Sequence, residues 1–127
     1  LDISVTAVGI ASERYPDSSF RVTDINNPVA LGELLRQEVA DTSAAGLIVL
    51  SQVLSYLSRW KEVLRVAATH STSLIVALYL PNDPIGFVKN KADLQEAIEG
   101  LANIAKWVQS ADGTQHVVFA TPLVGCR

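Results

Sequence analysis

The chain has 127 residues and a mass of 13.6 kDa, which allows one domain of ordinary size and excludes a two-domain machine. With 49% hydrophobic and 18% charged residues and a mean hydropathy of +0.27, it is apolar enough to bury a core and too apolar to be disordered. Its 10 Lys+Arg against 13 Asp+Glu give a net charge of −3 without a run of like charges, so neither a nucleic-acid nor an anionic-membrane partner is expected.

Residues 1–16 carry two overlapping signals. Leu1, Ile3, Val5 and Ala7 alternate as in a strand, whereas Ala7, Ile10, Ala11 and the Tyr15-Pro16 stop fit a helical stripe, and periodicity alone does not decide. In 19–23, Phe20 and Val22 alternate with Arg21 and Thr23 and close on Asp24 and the turn signal Asn26-Asn27-Pro28, which predicts a half-exposed strand. Asn27 as N-cap and Pro28 as first helical residue open a helix over 28–40, striped by Leu31, Leu34, Leu35 and Val39.

The runs 46–50, 74–79 and 116–120 are rich in Val and Ile, do not alternate, and are predicted as parallel strands buried on both faces. Between the first two, Val53, Leu57, Trp60, Val63, Leu64 and Ala67 predict a helix over 53–68, with His70 near its end, where a cation suits the helix dipole. Residues 80–91, with two prolines and a glycine, form the one long connection and follow a strand's carboxyl end, the edge at which such sheets carry ligands. Leu94, Ala97, Ile98, Leu101, Ile104, Ala105 and Val108 then predict a helix over 93–108 that contains Gly100 and leaves Trp107 off its apolar stripe, partly exposed or against another chain. This order predicts an α/β domain over 1–127, a Rossmann-like, open and mostly parallel sheet flanked by helices.

The apolar runs are far shorter than the roughly 20 residues a membrane-spanning helix needs. A lone Cys126 offers neither a disulfide nor a metal cluster, which makes a reducing cytoplasm the expected compartment. His70 and His116 have no Cys or carboxylate at metal-ligand spacing and read as structural. No nucleophile elbow, zinc-protease or phosphate-loop motif occurs. What remains is a set of polar stations at strand ends: Asp2, Asp24, Ser51-Gln52 and Tyr79, aligned along one edge of a parallel sheet. Each has a plain alternative, as solvated acid, turn former, helix cap or core residue respectively.

In their joint order these stations resemble class I S-adenosylmethionine-dependent methyltransferases. Asp2-Ile3-Ser4 leading to Ala7-Val8-Gly9-Ile10-Ala11, and then Phe20-Arg21-Val22-Thr23-Asp24-Ile25, look like the ends of that family's second and third strands with a helix between them. The segments 46–57 and 74–81 are similar to its fourth strand with the following helix and to its fifth strand. The resemblance covers about residues 1–81 and favours helix over 5–15. It implies S-adenosylmethionine as cofactor, with S-adenosylhomocysteine as product. Asp2 and the adjoining Ile3 would serve the ribose hydroxyls, Asp24 the adenine amino group, and Ile25 the ring face. Ser51 and Gln52 would face the transferred methyl, and Tyr56, Tyr79 and the 81–90 loop a small-molecule acceptor.

The family's glycine-rich loop would lie upstream of Asp2, and Leu at position 1 with no Met in the chain leads one to expect either an upstream segment or a processed or fragmentary product. Without that loop the chain should hold the cofactor weakly or not at all, and its sheet should have a gap to be filled by a partner chain, by rearrangement or by upstream residues. Two further readings stand beside the enzyme: a non-catalytic α/β oligomerisation or partner-binding module with a degenerate cofactor site, and a nucleotide-binding or oxidoreductase domain, because an acid at a strand end also suits a dinucleotide ribose.

Overall fold

The computed structural model describes residues 1, 4–42 and 46–123. Asp2 and Ile3, the expected ribose residues, and Cys126 lie outside them. The elements run α1 (Val5–Arg14), α2 (Pro28–Thr42), β1 (Leu47–Ser51), a single 3₁₀ turn (Leu54–Tyr56), α3 (Trp60–Thr69), β2 (Ser73–Tyr79), α4 (Lys91–Glu99), β3 (Ala102–Gln109) and β4 (Gln115–Pro122). The fold is mixed α/β, with an open four-stranded sheet of order β1-β2-β4-β3 among the described residues. Of the hydrogen-bonded pairs only β1–β2 is parallel, while β4 runs antiparallel to both β2 and β3, so the expectation that 116–120 is a parallel strand is corrected: β4 is the one strand reversed against the other three.

Capping explains the first two helices. The N–H of Ala7 donates to Oγ of Ser4 at 3.1 Å, starting α1, and the helix ends before Tyr15-Pro16. The N–H of Ala30 donates to Oδ1 of Asn27, the expected cap of α2. The segment 19–23 forms no strand beyond an isolated bridge at Val22; Arg21 instead reaches Glu38 of α2 at 3.5 Å.

The expected helix over 53–68 is divided. Leu54, Leu57, Trp60 and Val63 are all buried at a spacing of three, but Leu54 lies in the 3₁₀ turn and Trp60 and Val63 in α3, with Leu57 in the break between them. Asn26 marks the division: its Oδ1 accepts the N–H of Arg59 at 3.1 Å and its Nδ2 donates to Oγ of Ser58 at 3.2 Å.

The expected helix over 93–108 stops at Gly100, and 102–109 is strand β3. Its inward residues are Ala102, Ile104 and Trp107, because a β-bulge between Ile104 and Lys106 changes the spacing from two to three. That mixed spacing imitates a helical stripe. Trp107 is half-buried and packs against the core. β3 and β4 are joined by a turn in which Oδ1 of Asp112 accepts from the Ser110 hydroxyl and from both the N–H and hydroxyl of Thr114, with Gly113 at φ +79°. These contacts hold the Asp112 carboxyl down to about 2.

The core lies on one face of the sheet. Leu74, Val76 and Leu78 of β2 meet Val63, Leu64 and Ala67 of α3, Leu94 and Ile98 of α4, and Val118 of β4, all essentially buried. The opposite face carries Leu47, Val49, Ile75, Val117, Phe119 and Val108, and of these Val49 is 52% and Phe119 38% exposed. Burial of these runs on both faces is therefore corrected: β1 is an edge strand and the second face is left half-open. No helix among the described residues is long and apolar enough to cross a membrane.

Candidate functional site

β1 and β2 end side by side, and the chain leaves them in opposite ways. After Ser51, Gln52 adopts φ +58°, a left-handed conformation that is costly for a residue with a Cβ and is retained where neighbours enforce it. The neighbours are explicit. The Gln52 N–H donates to the Ala77 carbonyl at 2.7 Å, its Oε1 accepts the Tyr79 N–H at 2.9 Å, and its Nε2 reaches Oε1 of Gln115 at 3.4 Å. Gln52 thus straps together the ends of β1, β2 and β4.

Beyond Tyr79 the 80–90 loop folds back over the 3₁₀ turn. The Leu80 N–H donates to the Thr114 carbonyl at 2.7 Å and the Phe87 N–H to the Ser55 carbonyl at 2.8 Å. Val88 is fully buried, and Asn90 caps α4 by accepting the Asp93 N–H at 2.8 Å. Gly86 lies so close to Ser55 that a Cβ built on it would stand 2.7 Å from both Ser55 Cβ and the Ser55 carbonyl oxygen. Only glycine allows this approach.

Loop and turn enclose a cleft of about 420 Å³, lined by Gln52, Ser55, Tyr56 and Tyr79 on one side and by Pro84, Ile85 and Phe87 on the other. No lining side chain carries a formal charge. Tyr56 is 81% exposed and Ile85 wholly so, an unusual cost for large apolar groups.

Tyr56 is also a wall of a second cleft, of about 310 Å³, lined by Thr23, Asp24, Ile25, Val53 and Leu57. Here Oδ1 of Asp24 accepts the Asn26 N–H at 3.0 Å in a local turn. A third cavity, of about 130 Å³, shares Ile25 and Val53 with the second and includes Ser51. Of the residues expected at a site, Asp24 and Ile25 thus fall in one cleft with Tyr56, while Gln52, Tyr56 and Tyr79 fall in the next. Ser51 sits apart from Gln52, in the third cavity. Ile85, Gly86 and Phe87 were signalled only as part of the 81–90 loop, by its place after a strand's carboxyl end and by the resemblance, and Ser55 only as part of the 46–57 segment.

The two histidines are structural. His116 is 3% exposed, and its Nδ1 accepts the Trp107 indole N–H at 3.0 Å. Burial and then the Lys91 ammonium push its pKa below the ordinary value, against the Gly113 carbonyl. Burial and then Arg36 push His70 the same way, which opposes the cation expected at the end of α3. Among the described residues no three His, Cys, Asp or Glu side chains are grouped to hold a metal ion. No protein-family model, curated protein or solved structure matches this chain.

Proposed function

We propose that the chain is the methyltransferase-like domain of an enzyme that uses S-adenosylmethionine to methylate a small molecule at the carboxyl edge of its sheet. One observation carries the reading. Of the residues that the resemblance assigns, Asp24 and Ile25 on the cofactor side and Gln52, Tyr56 and Tyr79 on the acceptor side line two clefts that share the Tyr56 wall. The reversed strand β4 between β2 and β3 is compatible with it, because mixed sheets are common among large α/β sheets.

The second cleft suits a purine. It has one acid, Asp24, whose Oδ1 is taken by Asn26 while Oδ2 has no partner among the described residues, and apolar walls at Ile25, Val53 and Leu57. Asp24 would accept the adenine amino group, Ile25 would cover the ring, and Asp2 would accept the ribose hydroxyls. The cofactor supplies an electrophilic methyl group. The chain contributes position and forms no covalent bond to substrate. The strained Gln52, held by three partners, supports a site here because such backbone outliers concentrate where function fixes them.

Nuclear magnetic resonance titration with S-adenosylhomocysteine, which registers weak binding, tests the reading. Shifts should appear at Thr23, Asp24, Ile25 and Tyr56. Asp2→Ala and Asp24→Ala should each lower affinity by about tenfold or more, and Asp24→Asn by less, because an amide oxygen still accepts. Unmoved resonances at saturating ligand would remove the basis for the proposal.

The half-open sheet face around Val49 and Phe119 favours a second reading, a non-catalytic oligomerisation or partner-binding module. Sedimentation separates the two. Self-association abolished by Phe119→Lys, without cofactor binding, supports the module; a monomer that binds S-adenosylhomocysteine supports the enzyme.

A further inference from the structure

Taking the 420 Å³ cleft as the acceptor side, and so resting on the reading above, we propose that it takes an uncharged, planar aromatic molecule of one or two rings, seated between Tyr56 and the Ile85–Gly86–Phe87 tip of the loop.

Charge decides the class. The 80–90 loop contains Asp83 and Lys89, yet neither lines the cleft, and no other lining side chain is ionised at neutral pH. A carboxylate, phosphate or ammonium entering there would lose hydration without gaining a counter-charge, a cost that excludes tight binding. The one strongly polar amide in the wall, Gln52, already serves Tyr79 and Gln115. What is left for a ligand is the hydroxyls of Ser55, Tyr56 and Tyr79, which suit a phenol, a neutral heterocycle or a ring carbonyl.

Shape and size decide the rest. Tyr56, Tyr79 and Phe87 offer flat faces, and aromatic pairs gain from stacked or edge contacts beyond the area they bury. The volume falls in the range of about 300–1,000 Å³ typical of small-ligand pockets. The wall is also built in advance: Phe87 N–H is bonded to Ser55, and Gly86 is seated on it, so little ordering remains to be done on binding.

The test compares three probes on the intact chain by resonance titration: 2-naphthol, the equally flat but anionic 2-naphthoate, and the saturated decahydro-2-naphthol. 2-Naphthol should shift Tyr56, Tyr79 and Phe87 saturably, with each of the other two at least about tenfold weaker. Ile85→Asp, at a wholly exposed position that cannot unfold the domain, should weaken 2-naphthol and leave S-adenosylhomocysteine binding unchanged. Equal binding of naphthol and naphthoate, or shifts outside the cleft, would overturn the proposal. The two readings fail separately. Naphthol selectivity without S-adenosylhomocysteine binding retains the aromatic cleft and sinks the methyltransferase; S-adenosylhomocysteine binding without naphthol selectivity does the reverse.

Discussion

The Trp107 indole donates its N–H to Nδ1 of His116 at 3.0 Å, with the two rings edge to face at 5.8 Å between centroids, and Lys91 stands 5.1 Å over the indole. An accepting Nδ1 requires a neutral imidazole. Burial and Lys91 lower the folded pKa of His116 below 6.5, so the unfolded chain binds the proton more readily. This contribution is therefore complete above pH 6.5 and is lost as pH falls through the lowered folded value. Urea midpoints should drop between about pH 7.5 and about pH 5, and the drop should shrink, though not vanish, in His116→Leu, because His70 is shifted in the same direction. A midpoint that rises on acidification in this window would contradict the assignment.

How far this arrangement can be read in sequence depends on which side-chain spacings have one structural meaning. Pro28 after Asn27, and the Val/Ile runs of β1 and β2, had one meaning, and helix and parallel pair appear where expected. The stretch 94–108 had two, because the bulge after Ile104 gives a strand the spacing of a helix. The missed cue was Asp112-Gly113 between two β-rich runs, a direct hairpin signal. The runs also read as buried on both faces because both faces are apolar, but which face is covered depends on where the helices dock. In the candidate site, Gln52 and Tyr79 were legible as strand-end stations, and Tyr56 only through the resemblance. Gly86 and Phe87 were legible only as part of the 81–90 loop, because their individual importance lies in that loop folding back onto Ser55, a non-local contact.

The Asp112 turn makes a second pH prediction. Its carboxyl is lowered from 3.8 to about 2 by the Ser110 and Thr114 bonds, so its contribution is present above 3.8 and disappears as pH falls through about 2. Amide exchange at 110–115 should accelerate over that interval while the buried β2 amides respond later. Asp112→Ala should show the fast exchange already at neutral pH; unchanged protection there would mean that Gly113 alone sustains the turn.

Leu54 and Tyr56 occupy the same 3₁₀ turn with opposite environments, one fully buried and one largely exposed. Leu54→Ala should cost about 2–5 kcal/mol by opening a cavity beneath the cleft. Tyr56→Ala should change stability by no more than about 0.5 kcal/mol while abolishing saturable 2-naphthol shifts. Chemical denaturation of both variants checks the first statement and titration of the second variant checks the other. Comparable destabilisation by the two would mean that Tyr56 packs as core.

Glycine-to-alanine substitution should have opposite signs at two positions. Gly32 lies within α2, where an added Cβ would meet Val66 Cγ1 at 3.7 Å, an ordinary contact. Gly32→Ala should therefore stabilise by about 0.4–1 kcal/mol through helix propensity and reduced freedom of the unfolded chain. At Gly86 the same atom would stand 2.7 Å from the Ser55 carbonyl oxygen, which belongs to backbone and cannot rotate away. Relief requires the loop to lift, lengthening the Phe87 N–H to Ser55 carbonyl bond and moving Ile85 and Phe87 away from Tyr56. Gly86→Ala should cost about 1–3 kcal/mol and weaken 2-naphthol by about tenfold, with the exchange of the Phe87 amide accelerated. Thermal melts and titration on both variants decide the matter: a Gly86→Ala protein with unchanged stability and a protected Phe87 amide would show that the loop is not seated on Ser55, and the cleft would lose the wall that gives it its shape.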